Sequence, residues 1–249
     1  MTAAQKHTGR IVAVASGKGG VGKTWLAITL AHALARGGGR VLLFDGDLGL
    51  ANVDIQLGLV PAHDIGGVIA GRIALGEAVA HHPGGFDILA GRSGSGALAA
   101  LDDAGLDAVL AALRAAAGAY DHVVLDLGAG IERTTRRLSG FADLLLVVAT
   151  GEPTSLTDAY AVLKLHQADA APAEARIVVN QAATPAEGER TYATLSRASA
   201  AFLGHTPKLA GIIRRDERVR DAIRRQTLLL QRHPNAVAAA DVERLAQAL

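Results

Sequence analysis

The nine residues SGKGGVGKT, Ser16 to Thr24, bring together four glycines, two lysines and a closing threonine. From Gly17 onward they fit the spacing G-x-x-x-x-G-K-[ST], in which glycines let backbone amides turn inward around phosphate oxygens. On that spacing Gly17, Gly19, Gly20, Val21 and Gly22 supply the cradle. Lys23 adds positive charge at the β and γ positions, and the Thr24 hydroxyl offers a ligand to magnesium. The bland alternative is a glycine turn with an incidental lysine. Against it, two of only five lysines in a chain with twenty arginines fall inside this loop.

Two acidic stretches complete a nucleotide chemistry. Asp45 and Asp47, in LFDGDLGL, lie two apart, so in an extended segment both carboxylates face one side, a repulsive arrangement unless a cation or ordered water lies there. Asp126, in VVLDLGAGIE, can hold magnesium through water, while Gly128 and Gly130 leave the backbone free to swing toward a γ-phosphate. Each has a structural alternative: hydrated turn aspartates for the pair, and a helix N-cap for Asp126.

All three sets follow apolar, β-branched runs. Such runs occur at Ile11 to Ala15, Val41 to Phe44, His122 to Leu127, Leu144 to Ala149, Arg176 to Val179 and Leu209 to Ile213. They are apolar on both faces, which predicts buried strands. Ala/Leu-rich stretches at helical spacing separate most of them: Trp25 to Arg36, Leu106 to Ala117, Ser155 to Gln167 and Glu189 to Leu203. Strands alternating with helices predict an α/β fold, a doubly wound, mostly parallel sheet with helices on both faces. Ligands then bind beyond the carboxyl ends of the strands, where the glycine loop and the aspartates lie. GGFDILAG adds a candidate strand of unreadable direction. With no repeat, linker or composition break, one domain over residues 1–249 is expected, led by a flexible segment over 1–9.

The bulk properties narrow the class. Half of the 249 residues are apolar, enough for a sizeable core, and a formal charge of +1 gives no global pull toward nucleic acid or acidic membrane. The absence of cysteine excludes disulfides, thiolate metal sites and a cysteine nucleophile. MTAAQKHTGR has no apolar signal core, and no run approaches the roughly 18 apolar residues a membrane span needs. A cytoplasmic protein is expected.

Lys18 to Thr24 read K-G-G-x-G-K-T, and with the three aspartates they resemble the MinD/ParA family of P-loop ATPases. The resemblance implies ATP and Mg2+ as cofactors and a homodimer when ATP is bound. It further implies that Lys18 reaches across a nucleotide sandwich to the partner subunit's phosphates, which ties dimerisation to ATP. Asp47 would position or activate the attacking water, Asp45 and Asp126 would organise magnesium, and Asn180, closing RIVVNQ, would contact adenine. DGDLGLANVDIQLGL, the following DIGGVIAGRIALGEAVAHHPGGFDILAGRSGSGAL and the later EPTSLTDAYAVLKL are similar to the flagellar-number regulators, the FlhG (FleN, YlxH) branch. That branch implies a slow, partner-stimulated ATPase that restrains flagellar number and placement. Its usual partners are the flagellar GTPase FlhF, a flagellar transcription regulator or basal-body proteins, and the inner membrane surface at the cell pole.

Departures from the pattern bear on those partners. The N-terminus lacks the D-Q-A-x-x-L-R-like segment through which many branch members stimulate FlhF. Trp25 stands where the wider family mostly has a small polar residue, with an indole expected to pack against the helix's neighbours. Arg214, in GIIRRDERV, stands where many relatives have proline beside the adenine, and its guanidinium can stack on the base or point to water. NAVAAADVERLAQAL has the composition of a packing helix rather than a lipid-binding tail. Arg214 to Arg225 carries six arginines and three acids, followed by apolar Leu228 to Leu230. Val219, Ala222, Ile223 and Gln226 fall at helical spacing there, so a charged helix docked by one face competes with a lipid surface and with ParA-type nonspecific DNA binding. His81 and His82 are expected in a surface loop, Asp102 and Asp103 as helix caps, and Arg133, Arg136 and Arg137 as a solvated face or a dimer rim.

Overall fold

The computed structural model describes residues 9–47, 51–91 and 102–249. Apart from Gly9, the segment expected to be a flexible lead lies outside them, as does most of GRSGSGAL. In chain order the elements are β1 (Arg10–Ser16), α1 (Lys23–Arg36), β2 (Val41–Gly46), α2 (Val53–Leu57), α3 (Ile65–Ile69), α4 (Leu75–Ala78), β3 (Val79–His82), β4 (Phe86–Leu89), α5 (Asp103–Ala117), β5 (His122–Ala129), α6 (Arg133–Phe141), β6 (Leu144–Ala149), α7 (Pro153–Ala168), β7 (Glu174–Ala182), α8 (Pro185–Leu203), β8 (Lys208–Arg214), α9 (Glu217–Arg224), α10 (Leu229–Arg232) and α11 (Val237–Gln247). The strands form one sheet in the order β3-β4-β2-β5-β1-β6-β7-β8. Every neighbouring pair is parallel except β3 with β4.

Side chains alternate across a strand, and here the alternation divides the interior in two. Val12 and Val14 of β1, Leu43 of β2, Val124 of β5 and Leu146 of β6 meet the layer of α1, α2 and α9 to α11. Ile11, Ala13 and Ala15 of β1, Leu42 and Phe44 of β2, Leu125 of β5 and Val147 of β6 meet α5 to α8 on the other face. The central strands are therefore apolar on both sides, which is why they stand out in the sequence as continuous runs. Each valine, leucine, isoleucine or phenylalanine among them contributes roughly 1.5–3 kcal/mol on burial. The six expected strands and four expected helices are all present.

The edges hold what the sequence left open. GGFDILAG forms β4, parallel to β2, and the preceding residues fold back on it as β3. His81 and His82 thus lie in an edge strand and not in a loop, because β4 pairs them opposite Asp87 and Phe86, and His82 stacks on the Phe86 ring at 4.9 Å between centroids. Asp102 caps α5, accepting from the Gly105 amide, as expected. Arg133 and Arg137 pair with Asp103, and Arg136 pairs with Asp169. Ala238, Ala239, Val242 and Leu245 of α11 are buried against the sheet, so the alanine-rich tail is a packing helix. Leu228 to Leu230 are buried as well, and so cannot serve as a lipid-facing patch. α9 docks through Val219, Ala222 and Ile223, whereas Gln226 lies past its end and donates to the Ile55 carbonyl. Among the described residues no helix is long and apolar enough to cross a membrane.

α8 closes on β8 through a glycine. A Cβ on Gly188 would lie 2.3 Å from Cγ2 of Ile212, a branched side chain with little rotamer freedom. Gly188→Ala is expected to destabilise the chain by about 1–3 kcal/mol in urea denaturation. An unchanged midpoint would show that α8 shifts outward without cost.

Candidate functional site

The glycine loop joins the carboxyl end of β1 to the first turn of α1, in the middle of the sheet. Gly20 and Gly22 hold φ of 80° and 90°, values that suit residues without a Cβ. At Gly17 the limit is space, because a Cβ there would sit 2.3 Å from the Asp158 carbonyl oxygen of α7. Around Gly19 and Gly20 nothing lies within 4 Å of such an atom, so the open side of the loop faces outward. Gly22 caps a helix with no acid in its first turn. Free amides and the positive helix pole therefore coincide there, which suits an anion.

The two loop lysines part company. Lys23 is 8% exposed and lies close enough to Asp126 to stabilise its charge. The Lys18 ammonium group instead donates to Glu152 Oε2 at 2.6 Å and to Thr154 Oγ1 at 2.9 Å, at the start of α7. In this form it is drawn away from the cradle by its own chain.

Asp45 and Asp126 face each other in register on β2 and β5. Both are 1% exposed. Burial pushes the Asp45 carboxyl up to about 6, against three backbone amides that donate to it, from Val53, Asn52 and Asp47. Burial and then the charge of Asp45 push Asp126 up to about 7, opposed by the Thr24 hydroxyl bonded to it and by Lys23. Asp126 does not cap the helix after it, since the N-cap of α6 is Glu132. Its Oδ1 is buried without a partner. A buried acceptor beside a second carboxylate and a threonine hydroxyl fits a divalent cation, with Asp126 and Thr24 as the groups best able to hold it. Asp45 has most of its acceptor capacity committed to the start of α2. Asp47 stands at the mouth, where a Cβ on Gly128 would lie 3.5 Å from its carboxylate.

Beside the loop is a cavity of about 300 Å³, lined among others by Gly20, Trp25, Asn180, Gln181, Arg214 and Arg215. Clefts of about 700 Å³ around Gly37–Gly39 and beside Phe141 are wider, but neither is lined by the glycine loop or the aspartates. Asn180 has a role that the sequence did not suggest: its Nδ2 donates to the Val21 carbonyl at 2.7 Å, tying the loop to the end of β7. Trp25 is 7% exposed and packs in the core as expected, while also lining this cavity. Arg214 lines this cavity, with 29% of its side chain exposed. Its guanidinium is held by Asp241 through Nε at 2.9 Å and Nη2 at 2.8 Å, because a carboxylate with no exposure needs a cation beside it. Gln181 is a lining residue that no sequence pattern marked, and Arg215 and Arg220, marked only as part of a basic stretch, line the cavity too.

The crowded aspartates set a pH dependence. An unfolded aspartate titrates near 3.8, and the folded pair near 6 and 7. Within that window the folded chain holds more protons than the unfolded one, so these groups remove stability as pH rises. His32, lowered by burial to about 4, acts in the opposite direction over much of the same range. The measurement is therefore a comparison with Asp126→Asn. Without nucleotide or magnesium, the stability of the parent relative to that variant is expected to fall between about pH 4 and pH 8 in urea titrations. A difference that rises with pH would refute the assignment.

Comparison with known proteins agrees with this geometry. Residues 12–229 match the CobQ/CobB/MinD/ParA nucleotide binding domain. The chain is 37% identical over 241 residues to the antiactivator FleN of Pseudomonas aeruginosa, covering 97% of this chain and 86% of that protein. It is 30% identical over 249 residues to the flagellum site-determining protein YlxH of Helicobacter pylori, covering 97% and 82%. Among solved structures, the MinC:MinD cell division protein complex of Aquifex aeolicus superposes with a TM-score of 0.77 at 27% identity, over 96% of this chain and 94% of that one. The septum site-determining protein MinD of Pyrococcus horikoshii, complexed with Mg-ADP, shares the fold with a TM-score of 0.79 at 24% identity, over 96% and 94%. The chain belongs to the CobQ/CobB/MinD/ParA nucleotide-binding family and, within it, to the branch of the flagellar-number regulators.

Proposed function

We propose that this protein is an ATP-hydrolysing switch that dimerises around ATP and regulates flagellar number and placement. The observation that carries the proposal is the separation of the two loop lysines. Lys23 lies buried toward Asp126, whereas Lys18, with 36% of its side chain exposed, sits at the surface on Glu152. An exposed ion pair of this kind is weak because water screens it, so Lys18 exchanges it readily for a phosphate.

In this reading the amides of Gly17 to Gly22 and Lys23 bind the β- and γ-phosphates, and Thr24 and Asp126 hold magnesium. The bound metal neutralises charge on the phosphate oxygens. Asp47 orients the attacking water, and Asn180 keeps the loop in its binding shape. Lys18 leaves Glu152 and Thr154 and completes the site of a second copy, so that closure requires two chains and nucleotide together. Partners then read the closed dimer, and hydrolysis reopens it. By likeness to FleN and YlxH those partners are flagellar: a transcription regulator, basal-body proteins or the FlhF GTPase, met in the cytoplasm or at the inner membrane surface. A second reading, a ParA-type module holding DNA nonspecifically, draws on the exposed Arg218, Arg220 and Arg224 of α9. Salt-sensitive retention of the ATP-bound protein on arbitrary DNA favours it, and retention on anionic vesicles favours the flagellar reading.

Lys18→Ala is expected to abolish ATP-dependent dimerisation in sedimentation velocity while the monomer still binds ATP. A variant that sediments as the parent does with ATP argues against the role in trans. Asp47→Ala is expected to bind ATP and persist as a dimer, with turnover lowered by about 100-fold or more. Hydrolysis at the parent rate would remove Asp47 from the water-orienting role.

A further inference from the structure

The cavity beside the glycine loop is closed on one side by residues 214–216, which leave β8 and lead into α9. Within this short segment the Arg215 amide donates to the Ala182 carbonyl of β7 at 2.8 Å, and both of its ends are held by α11. At the first end, Asp241 of α11 accepts from the Arg214 amide at 2.9 Å as well as from the Arg214 guanidinium. Arg244 also pairs with this carboxylate, whose side chain is 0% exposed. At the other end, Asp216 Oδ2 accepts from the Val237 amide, in the first turn of α11, at 2.9 Å. Oδ1 of the same aspartate caps α9 through the Arg218 amide at 3.0 Å.

We propose that Asp241 is a positioning residue for the base end of the nucleotide pocket. It never touches the ligand. Together with the β7 contact of Arg215, it fixes the path of residues 214–216, and through them the wall that faces Trp25 and Asn180 across the cavity. The guanidinium of Arg214, held on Asp241, is kept back from the space a base would take, and the pocket stays open on that side. The inference rests on the proposed function, because it concerns the same site. It adds that affinity for the base and ribose is set from α11, a helix on the outer layer, while affinity for the phosphates is set by the glycine loop alone.

A purely structural role for Asp241 would weaken the whole domain, and the two roles separate by choice of ligand. Inorganic tripolyphosphate has the phosphates of ATP without base or ribose, so it reports on the loop only. Asp241→Asn keeps the size of the side chain but leaves an amide NH2 facing the guanidinium. With magnesium present, calorimetry is expected to show a roughly tenfold rise in the Kd for ATP and under about twofold change for tripolyphosphate. Val237→Pro is a second and milder variant. It removes the α11 amide that holds Asp216, at a helix position where proline is well tolerated, and is expected to act in the same direction by about threefold. Equal losses for both ligands, or an unmoved ATP affinity in both variants, would overturn the inference. If Asp241→Asn does not fold, Val237→Pro decides alone. A parent protein that binds neither ligand defeats the proposed function and this inference with it, whereas a parent that binds ATP beside two unaffected variants defeats this inference only.

Discussion

Repulsion between two buried carboxylates is the constraint around which the centre of this protein is built. Asp45 and Asp126 lie on neighbouring strands in register, and both are almost wholly removed from water. Three backbone amides quiet the first, but the second keeps an unpartnered oxygen. A chain optimised for stability alone would place apolar residues there. That it keeps charge instead, next to Thr24 and Lys23, points to a cation and a polyanion as the missing members of the arrangement. The local cost is carried by the apolar strands on either side, packed through both faces.

The glycine loop answers the same need from the opposite sign. Positive φ at Gly20 and Gly22 turns the chain, and Gly17 lets α7 press close behind it. Asn180 then braces the loop from β7. Lys18 alone is left on a contact that is easily exchanged, the exposed pair with Glu152. Rigid amides and one movable cation make a site in which binding and assembly can be separate events.

Much of this was legible in the sequence, for identifiable reasons. Strands such as Leu144–Ala149 are buried on both faces, so they appear as unbroken apolar runs, and the glycine loop has a spacing that few other structures require. The edge strand Val79–His82 was not legible, because an edge needs neither apolar side and its pairing with Phe86–Leu89 is set by a turn. The anchor of Arg214 was not legible for a different reason. Its partner Asp241 lies 27 residues away on α11, a separation at which no local spacing rule applies. The brace supplied by Asn180 was hidden in the same way, since the carbonyl it holds is 159 residues earlier.

Trp25 carries a practical consequence. It is the single tryptophan of the chain, and it follows Thr24 directly while lining the cavity beside the loop. Ultraviolet emission excited at the indole band therefore originates at one place in the molecule, with no contribution from a distant fluorophore of the same kind. Events at the mouth of α1 can be followed in real time on the unlabelled protein, by colour and intensity alone.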